Sequence, residues 1–321
     1  MSELVVDGYG AFLGMRKGSF YLKSSDGKRT EIPPPRIDHI SIRNRAVSIS
    51  AEALITAARY GIEITLYWRG RPTSRVTHAA KGGGAVTRQA QLEAVKSPKG
   101  LEAAKAFVTG KLHNQRMVIY QRSKDAVARG LSSGHALETC AEAIRKTIGL
   151  LTEVSTVDQV RAYEAQGAQH YWRAFGLLLP SELGFMGRVV WSPTDPFNKA
   201  LNISYGILRA RTWGAVMSAN LDPYIGYLHL PHGRHMCLVS DLMEEFRPAV
   251  VDRPLLTLAI NKLEEMIKVK EEDDRPIVKA VIQSLQASDR RLEKCIYEQA
   301  RRLASFLRGT ATSYEPFKLR W

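Results

Sequence analysis

The chain has 321 residues, 45% of them hydrophobic, which is more than one average domain needs and predicts at least one sizeable core. Lys and Arg number 46 against 32 Asp and Glu, a net charge of +14 that points to an anionic partner, with DNA, RNA and membrane surfaces undivided by charge alone. No apolar run approaches the roughly 20 residues of a membrane-spanning helix, and MSELVVDGYG lacks the basic start and apolar stretch of a secretion signal, so a cytoplasmic protein with no membrane association is expected.

In chain order, short apolar or β-branched segments (LVVD, AFLGM, FYLK, HISIRN, IEITLYW) alternate with turn residues such as Asp26-Gly27 and Pro33-Pro34-Pro35. Residues 1–80 therefore read as a small β-sandwich-like domain, interrupted by one helix from Ser50, its N-cap, to Tyr60. HAAKGGGAVTRQ places a linker at 81–90, because consecutive glycines lose the most backbone entropy on ordering. From 91 to 321 the spacing of apolar residues turns to three and four and the chain is rich in Ala, Leu, Glu, Lys and Arg. That predicts a larger, wholly helical domain and an α+β protein overall. Two details belong to this half: the acidic run Glu271 to Asp274 reads as a turn before Pro276, and the cysteines Cys140, Cys237 and Cys295 lie too far apart for a disulfide framework or zinc knuckle.

Between Lys105 and Gly130, six cations (Lys105, Lys111, Arg116, Arg122, Lys124, Arg129) face only Asp125 and are interleaved with Phe107 and Tyr120. This is either a phosphate-tracking face or an ordinary solvated one. Further on, Val157, Val160, Glu164, Ala168, Tyr171 and Phe175 follow at helical intervals, so Glu164 sits on an apolar stripe. An ionised carboxylate there needs a cation or metal, unless the stripe is wider and Glu164 lies at its edge beside Arg161.

The densest group of ligand types is GYLHLPHGRHMCLVSDLMEEFRP, with His229, His232, His235, Asp241, Glu244 and Glu245. Asp241 and Glu244 share a helix face, where like charges repel unless a cation lies between them; equally, Asp241 fits a helix cap. Zinc is disfavoured, since no cysteine pair supports the histidines and Pro231 and Gly233 make the segment a loop. A Glu, His, Glu set suits Mg2+ or Mn2+, which activate phosphodiesters.

LVVDGYG, EAQGAQHYW, GRVVWSPTDPFNKALNISYGIL, GYLH and SDLMEEFRPAVVDR, in that order, resemble the CRISPR-associated endonuclease and integrase family, the first-numbered protein of that system. The resemblance implies that the helical domain is catalytic and that Glu164, His229 and Glu244 are the metal ligands, with Asp241 as a helper. One departure is Ala165, where the family has glycine; alanine is the better helix former and leaves the ligand undisturbed. Asn198, Arg188 and Tyr205 also fall on family positions, as structural or DNA-positioning residues. Arg188 is expected on a phosphate or in a buried ion pair with Asp195 or another carboxylate, and Lys111 and Arg116 are further expected DNA contacts. The resemblance also implies homodimers built through the β domains, a heterocomplex with the second-numbered adaptation protein, and a reaction in which the 3′ hydroxyl of a prespacer duplex attacks CRISPR-repeat phosphodiesters. Hydrolysis of branched DNA is the same chemistry with water.

Two other readings stay open. One is a basic DNA-binding scaffold without catalysis, and the other a metal hydrolase on a small substrate. The second lacks both a G-x-x-x-x-G-K-[ST] loop and a G-x-S-x-G elbow.

Overall fold

The computed structural model describes residues 3–37, 39–68, 71–76, 84–231, 233, 235–271, 274–287 and 291–319. Two compact units divide the chain, Met1–Gly84 and Ala85–Trp321.

Alternation builds the first unit: in β1 (Glu3–Val6), Leu4 and Val6 are buried while Val5 between them is exposed, as a strand with one covered face requires. β2 (Phe12–Arg16), β3 (Ser19–Lys23) and β4 (Arg29–Ile32) form an antiparallel meander, and the short β6 (Ser48–Ile49) pairs parallel with β2. In the second sheet β1, β5 (His39–Ile42) and β7 (Glu63–Trp68) run parallel, and β8 (Arg71–Val76) closes the order β1-β5-β7-β8 antiparallel to β7. Helix α1 (Ala51–Arg59) starts at Ser50, whose hydroxyl accepts from the Ala53 N–H at 3.1 Å, and buries Ala53 and Ala57, one turn apart. Two sheets were expected from the sequence; the polar strands β4, β6 and β8 were not, because RTEI and RPTSRV show no apolar alternation. Pro72, which cannot donate to a ladder, is tolerated because β8 is an edge strand.

The second unit is helical. Residues 77–83 of the glycine-rich stretch lie outside the described residues, and 84–90 already belong to α2 (Gly84–Val95). The 31-residue α3 (Pro98–Ala128), about 46 Å long at about 1.5 Å per residue, is the axis on which α4 (Ser133–Leu150) and α5 (Val157–Leu178) pack. Thr156 and Gln159 begin α5 with a reciprocal capping box, and Asp195 caps α6 (Pro196–Ser218). After α7 (Cys237–Met243) the backbone widens into a π-helical stretch, Arg247–Asp252, and continues as α8 (Arg253–Asn261), α9 (Leu263–Ile267), α10 (Arg275–Gln286) and α11 (Leu292–Leu307). The turn expected at the acidic run falls on Glu272 and Asp273, which lie outside the described residues, and α10 begins at Arg275.

The tail after α11 folds back onto α3. Asn114 donates to the carbonyls of Glu245 (2.8 Å) and Phe317 (3.0 Å) and accepts from the Leu319 N–H (2.7 Å). Among the described residues no helix is long and apolar enough to cross a membrane.

Candidate active site

Glu164 projects from α5 toward α3, where Lys111 meets it with Nζ 2.6 Å from Oε1. The two helices come this close beside Gly167, one turn on from Glu164, where a Cβ would lie 2.4 Å from a methyl of Leu112. Arg161 is not the partner. It turns to Asp158 (2.6 Å) and donates to the Leu228 carbonyl (2.7 Å), tying α5 to the loop that carries His229.

That loop is fixed by Asp241. Its buried carboxylate accepts the backbone N–H of Tyr227 (2.6 Å), Leu228 (3.0 Å) and His229 (2.9 Å), and faces His229 Nδ1 at 2.7 Å. A Cβ at Gly226 would stand 2.7 Å from Asp241 Oδ2, so only glycine lets the loop lie this close to α7. Asp241 lies inside α7, four residues past its first, so the expected cap is not its role. With its carboxylate already accepting three N–H groups, Asp241 is placed to accept from Nδ1 as well, and Nε2 lies 3.9 Å from Glu244 Oε1. This is the carboxylate–imidazole arrangement that orients a metal-ligating histidine. Burial works against the charged imidazole, but the Asp241 hydrogen bond, with the charges of Asp241, Glu244 and Glu164, leaves the His229 pKa above its ordinary value.

Glu244 sits on the turn between α7 and the π-helical stretch. Lys111 Nζ lies 2.8 Å from its Oε2, and Arg247 Nε lies 2.9 Å from its Oε1. Burial pushes this carboxyl upward, but Arg247, Lys111 and His229 dominate and hold it down at about 2. Lys111, buried between two carboxylates, is pushed well above the ordinary lysine value despite its desolvation. Lys111, expected on DNA, stands here as a bridge between Glu164 and Glu244.

The widened helix explains the next layer. Residues five apart stack along a π-helix, so Arg247 and Asp252 both reach Tyr205. The Arg247 guanidinium lies 4.5 Å from the ring centroid, and the Tyr205 hydroxyl donates to Asp252 Oδ1 (2.6 Å) while Tyr171 donates to Oδ2 (2.9 Å). Burial pushes Asp252 up to about 6 against those two bonds. Tyr205, expected at DNA, is buried here and supports Asp252.

Arg188 also stacks on Tyr205 (5.4 Å) and donates to Asn198 (2.9 Å), Asn202 (2.6 Å) and the Val189 carbonyl (2.5 Å). Its expected ion pair with Asp195 is not formed, since Asp195 caps α6 and accepts from Asn198. Asn198 also holds the preceding loop through Gly187 and Val189. His235 stands 3.1 Å from Ser240 Oγ with its ring 5.8 Å from that of His229; His232 lies outside the described residues. Arg116 points elsewhere on α3, toward Tyr120.

Sequence reasoning missed Arg247 and Asp252, although a signal was present: in FRPAVVD two charges bracket an apolar run, and buried charges require partners. The donor set fits a divalent cation on one observation: two carboxylates already converge on the Lys111 ammonium, with the second imidazole nitrogen of His229 beside one of them. Among the described residues His, Asp, Glu and Cys groups are not drawn together into a closed metal cage, since Lys111 stands between the carboxylates.

A family model described as CRISPR associated protein Cas1 matches residues 4–296. CRISPR-associated endonuclease Cas1 1 of Saccharolobus solfataricus is 35% identical over 316 residues, covering 97% of this chain and 82% of the relative. By fold, the chain is similar to a protein in a partial Cas6-RT-Cas1–Cas2 complex (TM-score 0.76, 21% identity, 100% and 99% coverage). It is also similar to a casposase bound to integration product (TM-score 0.71, 21% identity, 98% and 93% coverage).

Proposed function

The chain belongs to the CRISPR-associated protein Cas1 family, and from that premise we propose that it is a DNA endonuclease and integrase of CRISPR adaptation, dependent on Mg2+ or Mn2+. The convergence of Glu164 and Glu244 on one cationic position, with His229 Nε2 beside it, carries this reading. Glu164, His229 and Glu244 would hold the ion in place of the Lys111 ammonium. Bound there, it would polarise a phosphoryl oxygen and orient the attacking hydroxyl or water.

The chain's own residues supply the rest. Asp241 fixes the tautomer of His229. Arg247 holds Glu244 in place and adds fixed positive charge where a phosphodiester gains negative charge on the way to its transition state. A prespacer 3′ oxygen bonds to phosphorus as the repeat's P–O3′ bond breaks, and the proton of the attacking hydroxyl passes to the medium as the leaving oxygen gains one. With water as attacker the same step cleaves branched DNA.

Partners follow from the relatives: DNA, since the casposase sharing this fold is bound to an integration product, and the second-numbered adaptation protein, since a Cas1–Cas2 complex contains a chain of this fold. The first unit is assigned to homodimerisation.

Replacing Glu164 or His229 with Ala abolishes strand transfer and branched-DNA cleavage while DNA binding stays near wild type; undiminished turnover in either variant defeats the assignment. A DNA-binding scaffold without catalysis is the second reading, favoured by Lys111 lying within ion-pair distance of both carboxylates with no metal. It predicts identical results with Mn2+ and with EDTA.

A further inference from the structure

Asp241, Glu244, Glu245 and Asp252 are the acids buried in the second unit among the described residues. Three of them have tasks on view: Asp241 holds the His229 loop, Glu244 faces Lys111, and Glu245 accepts from Tyr314 and Phe317 in the segment after α11. Asp252 is left over. Its carboxylate is shared by two neutral phenols, accepting from Tyr171 on Oδ2 (2.9 Å) and from Tyr205 on Oδ1 (2.6 Å). A buried carboxylate costs more than an apolar side chain of the same size would. What it supplies is direction, since its two bonds aim rings from two different helices, α5 and α6, at one point.

Both rings lead back to the carboxylates that converge on Lys111. Tyr171 follows Glu164 on α5 by two turns, roughly 10 Å along the same face. It is fully buried, with the rings of Phe175 (4.8 Å) and Trp172 (5.0 Å) closed around it. Two ties therefore join α5 to the stretch after α7: the Lys111 bridge between Glu164 and Glu244, and the Tyr171 bond to Asp252. Tyr205 reaches Glu244 by a second route. Its ring carries the Arg247 guanidinium at 4.5 Å, and Arg247 Nε lies 2.9 Å from Glu244 Oε1.

We propose that Asp252 is a positioning residue for the cation site. Through Tyr171 it fixes α5, and with it Glu164; through Tyr205 and Arg247 it fixes Glu244, so the separation of the two carboxylates is set from behind. The inference rests on the metal reading above and adds a residue that touches neither ion nor DNA.

The test uses the full chain with Tyr171→Phe, Tyr205→Phe and Asp252→Asn, singly, and with the two Phe changes combined. The Phe variants keep each ring and its packing and remove only the bond to Asp252. Calorimetric titration with Mn2+ gives the affinity, and the electron paramagnetic resonance spectrum of the bound Mn2+ reports how uniformly it is held. Each Phe variant is expected to weaken Mn2+ binding by about 10-fold, the lower end of the about 10 to 100-fold carried by groups behind a metal ligand, and to broaden the spectrum. Thr147→Val, which gives up a buried hydroxyl bonded to the Ala143 carbonyl (3.0 Å) on α4, is expected to keep the wild-type affinity and spectrum. Wild-type affinity and spectrum in the combined variant overturn the proposal. So does an equal loss in Thr147→Val, which would mark a general loosening of the fold. A wild-type chain that binds no Mn2+ defeats the metal reading itself, whereas wild-type binding with unchanged variants defeats the positioning role alone.

Discussion

Glu244 and Glu245 are consecutive and both buried, yet they open onto two regions that treat charge in opposite ways. On the Glu244 side stand Lys111, Arg247 and His229, and the carboxyl is held at about 2. On the Glu245 side stand neutral donors, the Tyr314 hydroxyl (2.5 Å), the Phe317 N–H (2.6 Å) and Gln299 (3.0 Å). There burial outweighs the hydrogen bonds and pushes the carboxyl up to about 7. Burial alone therefore does not decide ionisation; the formal charge of the facing groups does. One side is suited to gathering a cation, the other to fastening the tail.

Substitutions break this contrast in order of size. Glu244→Gln is expected to lower strand-transfer and cleavage rates by at least about 10² to 10³-fold, the scale for losing one fixed electrostatic group at a reacting centre. Glu245→Gln, one residue away, is expected to keep the chemistry; equal losses in the two variants would erase the distinction. Asp241→Asn should cost about 10 to 100-fold in Mn2+ affinity, read by calorimetric titration, because the amide no longer enforces the Nδ1–H tautomer of His229.

The smallest effect is on pH. An unfolded glutamate releases its proton near 4.5, whereas Glu245 keeps it to about 7, so between these values the folded chain binds more protons than the unfolded one. The stabilisation is complete below about 4.5 and is lost as pH rises through about 7. Asp252, at about 6 against an ordinary 3.8, works in the same sense over its own window. Melting temperatures of the wild type should thus fall from pH 5 to 7.5, and Glu245→Gln should flatten the upper part of that fall; an identical profile would show that Glu245 is ionised throughout.

Much of this was legible in the residues. Glu164 stood out as a charge on an apolar stripe, and the segment from His229 to Glu245 as a concentration of ligand types. The motif order joined them. What stayed hidden has physical causes. Helix α3 is packed on several sides, so its apolar residues mark no single face and nothing distinguished Lys111 from Arg116 or Lys124. Asp241 read equally as cap and ligand because its three backbone bonds come from a loop 12 to 14 residues earlier. The π-helical stretch has no residue pattern of its own, yet both its end residues, Arg247 and Asp252, meet at Tyr205. The edge strands β4 and β8 lacked alternation and passed for loops.

The strap behind Glu245 also bears on when the site matures. Leu319 closes onto Asn114 across 205 residues and Phe317 onto Glu245 across 72, so these pairings carry high sequence separation and form late. Until the segment has docked, Asn114 lacks Phe317 and Leu319, Glu245 lacks Tyr314 and Phe317, and the turn presenting Glu244 has no back wall. The proposed site around Glu244 would in this way be braced only once the segment after α11 has docked on α3.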